Sequence, residues 1–428
     1  MTGGAGTPDP DPHPLPGPIM VVHNRYRQRA GEDAEVDAEI ASLEANGHAV
    51  IPFVVDSRSI DDGPAGRIRI AAETIWSSRA ARRLASALDR SRPAVVHVHN
   101  TFPLLSPSIY GALDQCGAAI VQSLHNYRLV CPSANLFRDG RDCTDCVGRA
   151  VALPAIVHGC YRDSPAQSAV VAAMLGAGRL SGARARAVDV YIAPSHAVAE
   201  ALGGVAVPAD RIVVKANLLT ADPGPGDDGP RADVHLYAGR LAPEKGIRLI
   251  PDAWRRLAGL STTARIAGDG PLRDEVERAA TDDARIASLG SLDRAAIDAE
   301  LGRARTLLFP SIWREPFGLS IVEAFARATP VIASRIGGPG EIVEDGVTGL
   351  LFPPGDGAAL ADRVRWSSEH PAEMAAMGAA ARATYERRYA AEPGYTALVD
   401  AYRRAIAHRR ARDADNGAPA AATDPRHG

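Results

Sequence analysis

Two carboxylates, Glu315 and Glu323, stand with seven residues between them on either side of a turn at Pro316 and Gly318. Apolar Leu319, Val322 and Ala326 then recur at helical spacing, and Pro330 opens a short strand over 331–334. The first amides of such a helix, at Gly318, Leu319 and Ser320, lack intrahelical partners, and with the helix dipole they form a seat for a phosphate. Glu315 precedes the helix and Glu323 lies in its second turn, so both can face a ligand on that seat. A phosphate between two acids needs cations. Arg240 and Lys245, in the run Gly-Arg-Leu-Ala-Pro-Glu-Lys-Gly, follow an apolar strand and open the next helix. Plainer readings stand beside these: Arg240 and Lys245 as surface cations, and Glu323 as a helix residue paired with a nearby arginine.

A second set of residues could bind metal. Cys131, Cys143, Cys146 and Cys160 fall within thirty residues, and Cys143 and Cys146 have the Cys-x2-Cys spacing that lets two thiolates reach one ion. Four thiolates complete a tetrahedral structural zinc shell, which would do no chemistry. Unpaired thiols, and a redox pair or iron–sulfur site, are the other readings of the same pattern. The lone Cys116 reads as a core residue in a helix.

The elements that must position these residues come in a βα rhythm. An apolar strand over 18–23 is followed by a polar loop to Gly31, a helix marked by Val36, Ile40 and Leu43, and a strand over 47–55. Further strands over 94–99, 118–124, 188–193 and 212–215 alternate with helices, including one over 75–88. After a stretch dense in Pro, Gly and Asp, the rhythm restarts at 235–239. The sequence thus specifies an α/β chain of two parallel-sheet halves facing across a cleft. Ligands of such sheets bind at the carboxyl ends of the strands. Gly31 and His125 occupy such ends, and so does His99, the second choice for ligand contact. A histidine inside a strand, such as His97, is more often a hydrogen-bonded core residue.

With 428 residues and 46% hydrophobic content the chain suits two domains, and a net charge of −3 gives no electrostatic reason to expect nucleic acid as a partner. No run approaches the roughly twenty apolar residues of a membrane-spanning helix. The first seventeen residues lack the basic start and apolar run of a signal peptide. The expected setting is therefore cytoplasmic, with peripheral contact at the inner membrane face left open by the arginines of 403–412; a solvated helix face is their other reading.

Taken together, Gly-Arg-x4-Lys at 239–245, Gly-Asp-Gly-Pro at 268–271, Glu-Pro-Phe-Gly-Leu at 315–319 and Gly-Gly-Pro at 337–339 resemble the carboxyl-terminal half of glycosyltransferase family 4. Those enzymes are retaining transferases built from two Rossmann-like domains, the B-type glycosyltransferase fold. The run Asn-Tyr-Arg-Leu-x-Cys-Pro at 126–132, with its trailing Cys-x2-Cys, is similar to a cysteine-bearing subset of the family. Gly, Pro and Asp make residues 1–17 a disordered lead, and the resemblance implies an acceptor-side domain over 18–220 with a Cys-rich insertion at 126–165. A linker over 221–233, a nucleotide-sugar domain over 234–385, a helix over 386–412 that crosses back, and a disordered tail over 413–428 complete the chain. It further implies that Glu315 and His125 are catalytic, with His125 facing the donor sugar. Gly31, Arg240, Lys245, Gly318, Leu319, Ser320 and Glu323 would bind the nucleotide sugar, Glu323 through the ribose hydroxyls. Gly337 and Gly338 would permit close packing near the nucleotide. No Asp-x-Asp lies in the cleft-forming stretches, so the expected cofactor set is none for catalysis, plus a structural zinc on the four cysteines. The expected partners are a nucleoside-diphosphate sugar and a hydroxyl acceptor. A nucleotide-sugar epimerase-like enzyme and a non-catalytic sugar-nucleotide-binding protein are the alternatives.

Overall fold

A computed structural model of the protein describes residues 15–27, 31–61, 63–219, 221–226 and 231–417. The first lobe is a six-stranded parallel sheet. Its strands are β1 (Ile19–Arg25), β2 (Val50–Asp56), β3 (Val95–Val98), β4 (Ala119–Ser123), and, after a two-stranded hairpin of β5 (Phe137–Arg138) and β6 (Arg141–Asp142), β7 (Val190–Ala193) and β8 (Ile212–Val214). The order across this sheet is β2-β1-β3-β4-β7-β8. The second lobe repeats the plan with β9 (Val234–Ala238), β10 (Thr263–Ala267), β11 (Ile286–Gly290), β12 (Thr306–Phe309), β13 (Val331–Ser334) and β14 (Gly349–Phe352), ordered β11-β10-β9-β12-β13-β14. Central strands such as β3, β4, β12 and β13 are buried along their whole length, because helices cover both faces of a parallel sheet. That is why they read in the sequence as short continuous apolar runs.

In each sheet the strand order reverses at one place, between β1 and β3 in the first lobe and between β9 and β12 in the second. Loops diverge there and leave a crevice at the strands' carboxyl ends. Gly31 follows β1, Arg240 and Lys245 follow β9, and Glu315 with Gly318 follows β12.

Several local expectations are corrected. The helix expected over 75–88 runs Ser78–Ser91, its start set by the Ser77 side chain accepting from the Ala80 N–H at 3.2 Å, and a further helix, Pro64–Ile75, precedes it. Cys116 is the residue that closes the helix Ile109–Gln115, outside its body. The last helix runs Ala391–Gly417, so the tail expected from residue 413 is helical as far as Gly417. Leu15 already packs against the core of the first lobe, ahead of the expected start at residue 18. The remainder of the expected lead, 1–14, and of the tail, 418–428, lies outside the described residues.

The closing helix packs on the first sheet, where Leu398, Ala401, Tyr402 and Ala405 share a core with Ile19, Val21, Val95 and Val121. Its arginines are engaged: Arg404 donates to the Asp210 carbonyl at 2.8 Å and Arg409 pairs with Asp413 at 3.0 Å. No helix among the described residues is long and apolar enough to cross a membrane.

Candidate functional site

The two loops beyond β9 and β12 meet. Lys245 ends a single 3-10 turn, Pro243–Lys245, which aims its ammonium at the Glu315 carboxylate, and the two form an ion pair. The Lys245 Nζ also sits 5.5 Å from the centre of the Trp313 ring. Glu315 is 6% exposed, and Ser311 Oγ stands 3.4 Å from its other oxygen. The loop that holds it is fixed by the backbone, with the Gly338 N–H donating to the Glu315 carbonyl at 2.8 Å. Gly337 has φ 57°, and a Cβ there would fall 2.6 Å from the Glu315 carbonyl oxygen. The close packing expected of the paired glycines is therefore against the loop of Glu315.

The helix Leu319–Ala326 starts at Gly318, whose φ of 120° suits glycine alone, and no side chain caps it. The Leu319 and Ser320 amides open this helix beside Glu315, while its other face buries Ile321, Val322 and Phe325. Glu323 forms an ion pair with Arg294 of the helix Arg294–Arg303, the plainer of its two readings from sequence. Burial, partly offset by Arg294, raises the pKa of the Glu323 carboxyl. Arg240 lies at the crevice mouth with its side chain 67% exposed, 3.5 Å from Glu244. Lys245, Glu315, Gly318, Leu319 and Ser320 are thus gathered at the second lobe's point of strand reversal, with Arg240 and Glu323 at its margins.

On the first lobe, His125 follows β4 and lines a pocket with Glu32, Asn100 and Asn126. Gly31 opens the helix Gly31–Ala45, and its neighbour Glu32 accepts from the Asn126 side chain at 2.6 Å, which ties this helix start to the His125 loop. His99 is buried behind His125, with its Nδ1 3.0 Å from His125 Nε2 and its Nε2 3.4 Å from a Glu39 oxygen. Glu39 pairs with Lys215 at 2.8 Å and Lys215 with Glu35 at 3.3 Å, all three buried. His99 and His125 share one hydrogen bond whose donor depends on the tautomer, while His99 Nε2 and the facing Glu39 oxygen lack a hydrogen-bond partner. Burial lowers the pKa of His99 and His125 and keeps them neutral in this arrangement.

Sequence reasoning missed Glu35, Glu39 and Lys215. Their signal was present: two acids at i and i+4 on the same helix as buried Val36 and Leu43, and a lysine ending an apolar strand. It also missed the contacts between lobes. Ser195 Oγ donates to the Pro316 carbonyl at 2.6 Å, and Glu341 accepts from the His196 N–H at 2.8 Å and the Ala197 N–H at 2.6 Å. Trp313 is part of the first lobe's core with Tyr127 and Val130, and Arg314 pairs with Asp142 of β6 at 2.8 Å. The hairpin of the Cys-rich segment thus braces the loop that carries Glu315.

The four cysteines of that segment are free thiols that share one neighbourhood, each within electrostatic reach of the others. Their sulfurs are not gathered to ligand spacing. Among the described residues the group of His, Cys, Asp and Glu with ligand atoms within 4.8 Å of one another is Glu39, His97 and His99. Lys215 already neutralises that carboxylate, and His97 Nδ1 is 2.9 Å from the Tyr402 hydroxyl, so two of the three already have partners in the buried core.

Comparison with known proteins agrees with this architecture. Residues 36–218 match the family Glycosyltransferase Family 4 and residues 229–384 match Glycosyl transferases group 1. The chain is 40% identical over 152 residues to glycogen synthase of Mycobacterium tuberculosis, a stretch that is 34% of this chain and 36% of that protein. It is 35% identical over 167 residues to the D-rhamnosyltransferase WbpZ of Pseudomonas aeruginosa, covering 38% of this chain and 42% of the relative. The match therefore spans less than half the length of these curated relatives. The fold is similar to that of Anabaena HepE, solved with UDP and glucose, at a TM-score of 0.61 and 18% identity over 89% of this chain and 98% of that one. On its two matched halves and the two-lobed fold they share, the chain belongs to the family 4 glycosyltransferases.

Proposed function

We propose that the protein is a retaining glycosyltransferase that moves a hexose-type sugar from a nucleoside diphosphate to a hydroxyl acceptor. The observation that carries this reading is the meeting of Lys245 and Glu315 beside the uncapped start of the helix Leu319–Ala326. In the reaction the bond from the anomeric carbon to the diphosphate oxygen breaks, and one from that carbon to the acceptor oxygen forms. The acceptor's proton leaves with the departing diphosphate. Charge that develops on that oxygen needs fixed cations and amides, which Arg240, Lys245 and the amides after Gly318 supply without a catalytic metal. Glu315 faces the sugar and steadies positive charge at the anomeric carbon, His125 accepts from a sugar hydroxyl, and Glu323 takes the ribose hydroxyls. The solved complexes of HepE with UDP support a nucleotide donor. A cytoplasmic setting, with contact at the membrane face where the acceptor requires it, completes the reading.

The test is donor hydrolysis across UDP-, GDP-, ADP- and dTDP-sugars in EDTA. Turnover of one donor that survives chelation and falls about a hundredfold in Lys245→Ala and in Glu315→Ala is the expected outcome. Loss of turnover on chelation sinks the metal-independent reading, and unchanged rates in both variants sink the site.

For the Cys-rich segment, the donor set of four thiols and its Cys-x2-Cys pair fit zinc in chemistry, although the sulfurs must close in from their present spacing. We propose a structural zinc that stiffens the hairpin against Arg314. Elemental analysis is expected to give one zinc per chain, lost in Cys143→Ser with Cys146→Ser. Metal-free protein with four titratable thiols refutes it.

A further inference from the structure

The first lobe holds a second pocket, contiguous with the one His125 lines because Phe102 and Arg128 form part of both walls. Its charge is lopsided. Among the described residues four arginines line it, Arg27, Arg67, Arg128 and Arg162, with one acid, Asp61, and Arg27 is already engaged, donating to the Ser57 carbonyl at 3.1 Å and the Ile60 carbonyl at 2.8 Å. Asp61 is turned to its own turn, where it accepts from the Gly63 N–H at 2.9 Å. Arg67 and Arg162 are exposed, and neither is paired with a carboxylate among the described residues. Arg128 lies flat over Phe102, with its guanidinium 4.3 Å from the ring centre, and its buried Nε has no hydrogen-bond partner. Tyr161 closes the same wall edge-on to Phe102, with Arg162 above its ring. Isoleucine and valine side chains, Ile60, Ile70 and Val171, make the floor. Guanidinium forks match the paired oxygens of phosphate and carboxylate groups, and stacking on aromatic rings holds them rigid. A neutral sugar would leave Arg67 and Arg162 without a counter-charge.

We propose that this pocket receives the acceptor, and that the acceptor bears an anionic phosphate or carboxylate which these arginines grip. This rests on the transferase reading, since the pocket adjoins His125, the residue assigned there to the donor sugar. The acceptor's hydroxyl would enter past Phe102 while its anion stays among the arginines.

The experiment measures binding of glucose 6-phosphate, glucuronate and glucose to the full chain by calorimetry, together with donor hydrolysis by the same preparation. At least tenfold tighter binding of one anionic sugar than of glucose is expected, and whether the phosphate or the carboxylate wins identifies the group. That preference should vanish in Arg67→Ala with Arg162→Ala, checked for an unchanged melting temperature, and persist in Lys245→Ala. Equal binding of all three sugars, no binding of any, or loss of the preference in Lys245→Ala overturns the proposal. If the anion binds as expected but no donor is hydrolysed or bound, the transferase reading falls while the anion pocket stands.

Discussion

At the scale of single residues, the site works by placing charges where water cannot screen them. Lys245 and Glu315 compensate each other within the crevice, so removal of either leaves the partner without its counter-charge. The same logic governs the buried histidines. Burial drives the pKa of His97 from 6.5 down to about 4, while its ring bonds to Tyr402 and Ser123 hold it neutral. The unfolded chain protonates this ring near its ordinary value, so acid favours unfolding. The stability tied to His97 is present above pH 6.5 and is lost as the pH falls toward 4, a change of roughly 3 kcal/mol. His99 and His125, also lowered by burial, act in the same direction. Urea unfolding measured from pH 7.5 to pH 4 should show this decline, and a flat profile would mean that these rings are not buried neutral.

At the scale of elements, the catalytic geometry depends on how closely the turn at Gly337 approaches the loop of Glu315. A methyl group at Gly337 meets the Glu315 carbonyl and must also adopt a positive φ. Gly337→Ala is therefore expected to cost about 1–3 kcal/mol of stability. Because the displaced backbone carries Glu315, it should lower donor turnover more than it raises the donor KM. Turnover equal to wild type in a folded Gly337→Ala protein would show that the loop tolerates the shift. Helix starts matter in the same way: Gly318 leaves the Leu319–Ala326 amides uncapped, whereas the helix His196–Leu202 is capped both by its own Ser195 and by Glu341 of the other lobe. An uncapped start facing a crevice is free to meet an anion. A start capped across the lobes joins them.

At the scale of the whole molecule, the chain returns to where it began. The helix Ala391–Gly417 covers one face of the first sheet, and its Tyr402 is fully buried with its hydroxyl on His97. Tyr402→Ala is expected to cost about 3–5 kcal/mol, and Tyr402→Phe about 1 kcal/mol through the lost hydrogen bond. Unfolding curves that separate the two variants by less than 1 kcal/mol would mean that the closing helix contributes little to the first lobe. The sequence alone determined the alternation of strands and helices, because buried parallel strands are continuous apolar runs and their helices keep a 3.6-residue period. It also placed Glu315 beside the start of the helix Leu319–Ala326, a spacing local to one loop and one helix, whereas Glu323 pairs with Arg294 at the margin. Tertiary structure decided what local spacing does not encode. Lys245 meets Glu315 because β9 and β12 are neighbours despite the two strands between them in the chain. Glu35 and Glu39 find Lys215 across 176 or more residues, which only the fold brings together. The arginine pocket draws on loops and helices from Arg27 to Arg162 that share no motif. Such sites follow from sheet order and packing, and those depend on contacts far apart in the sequence.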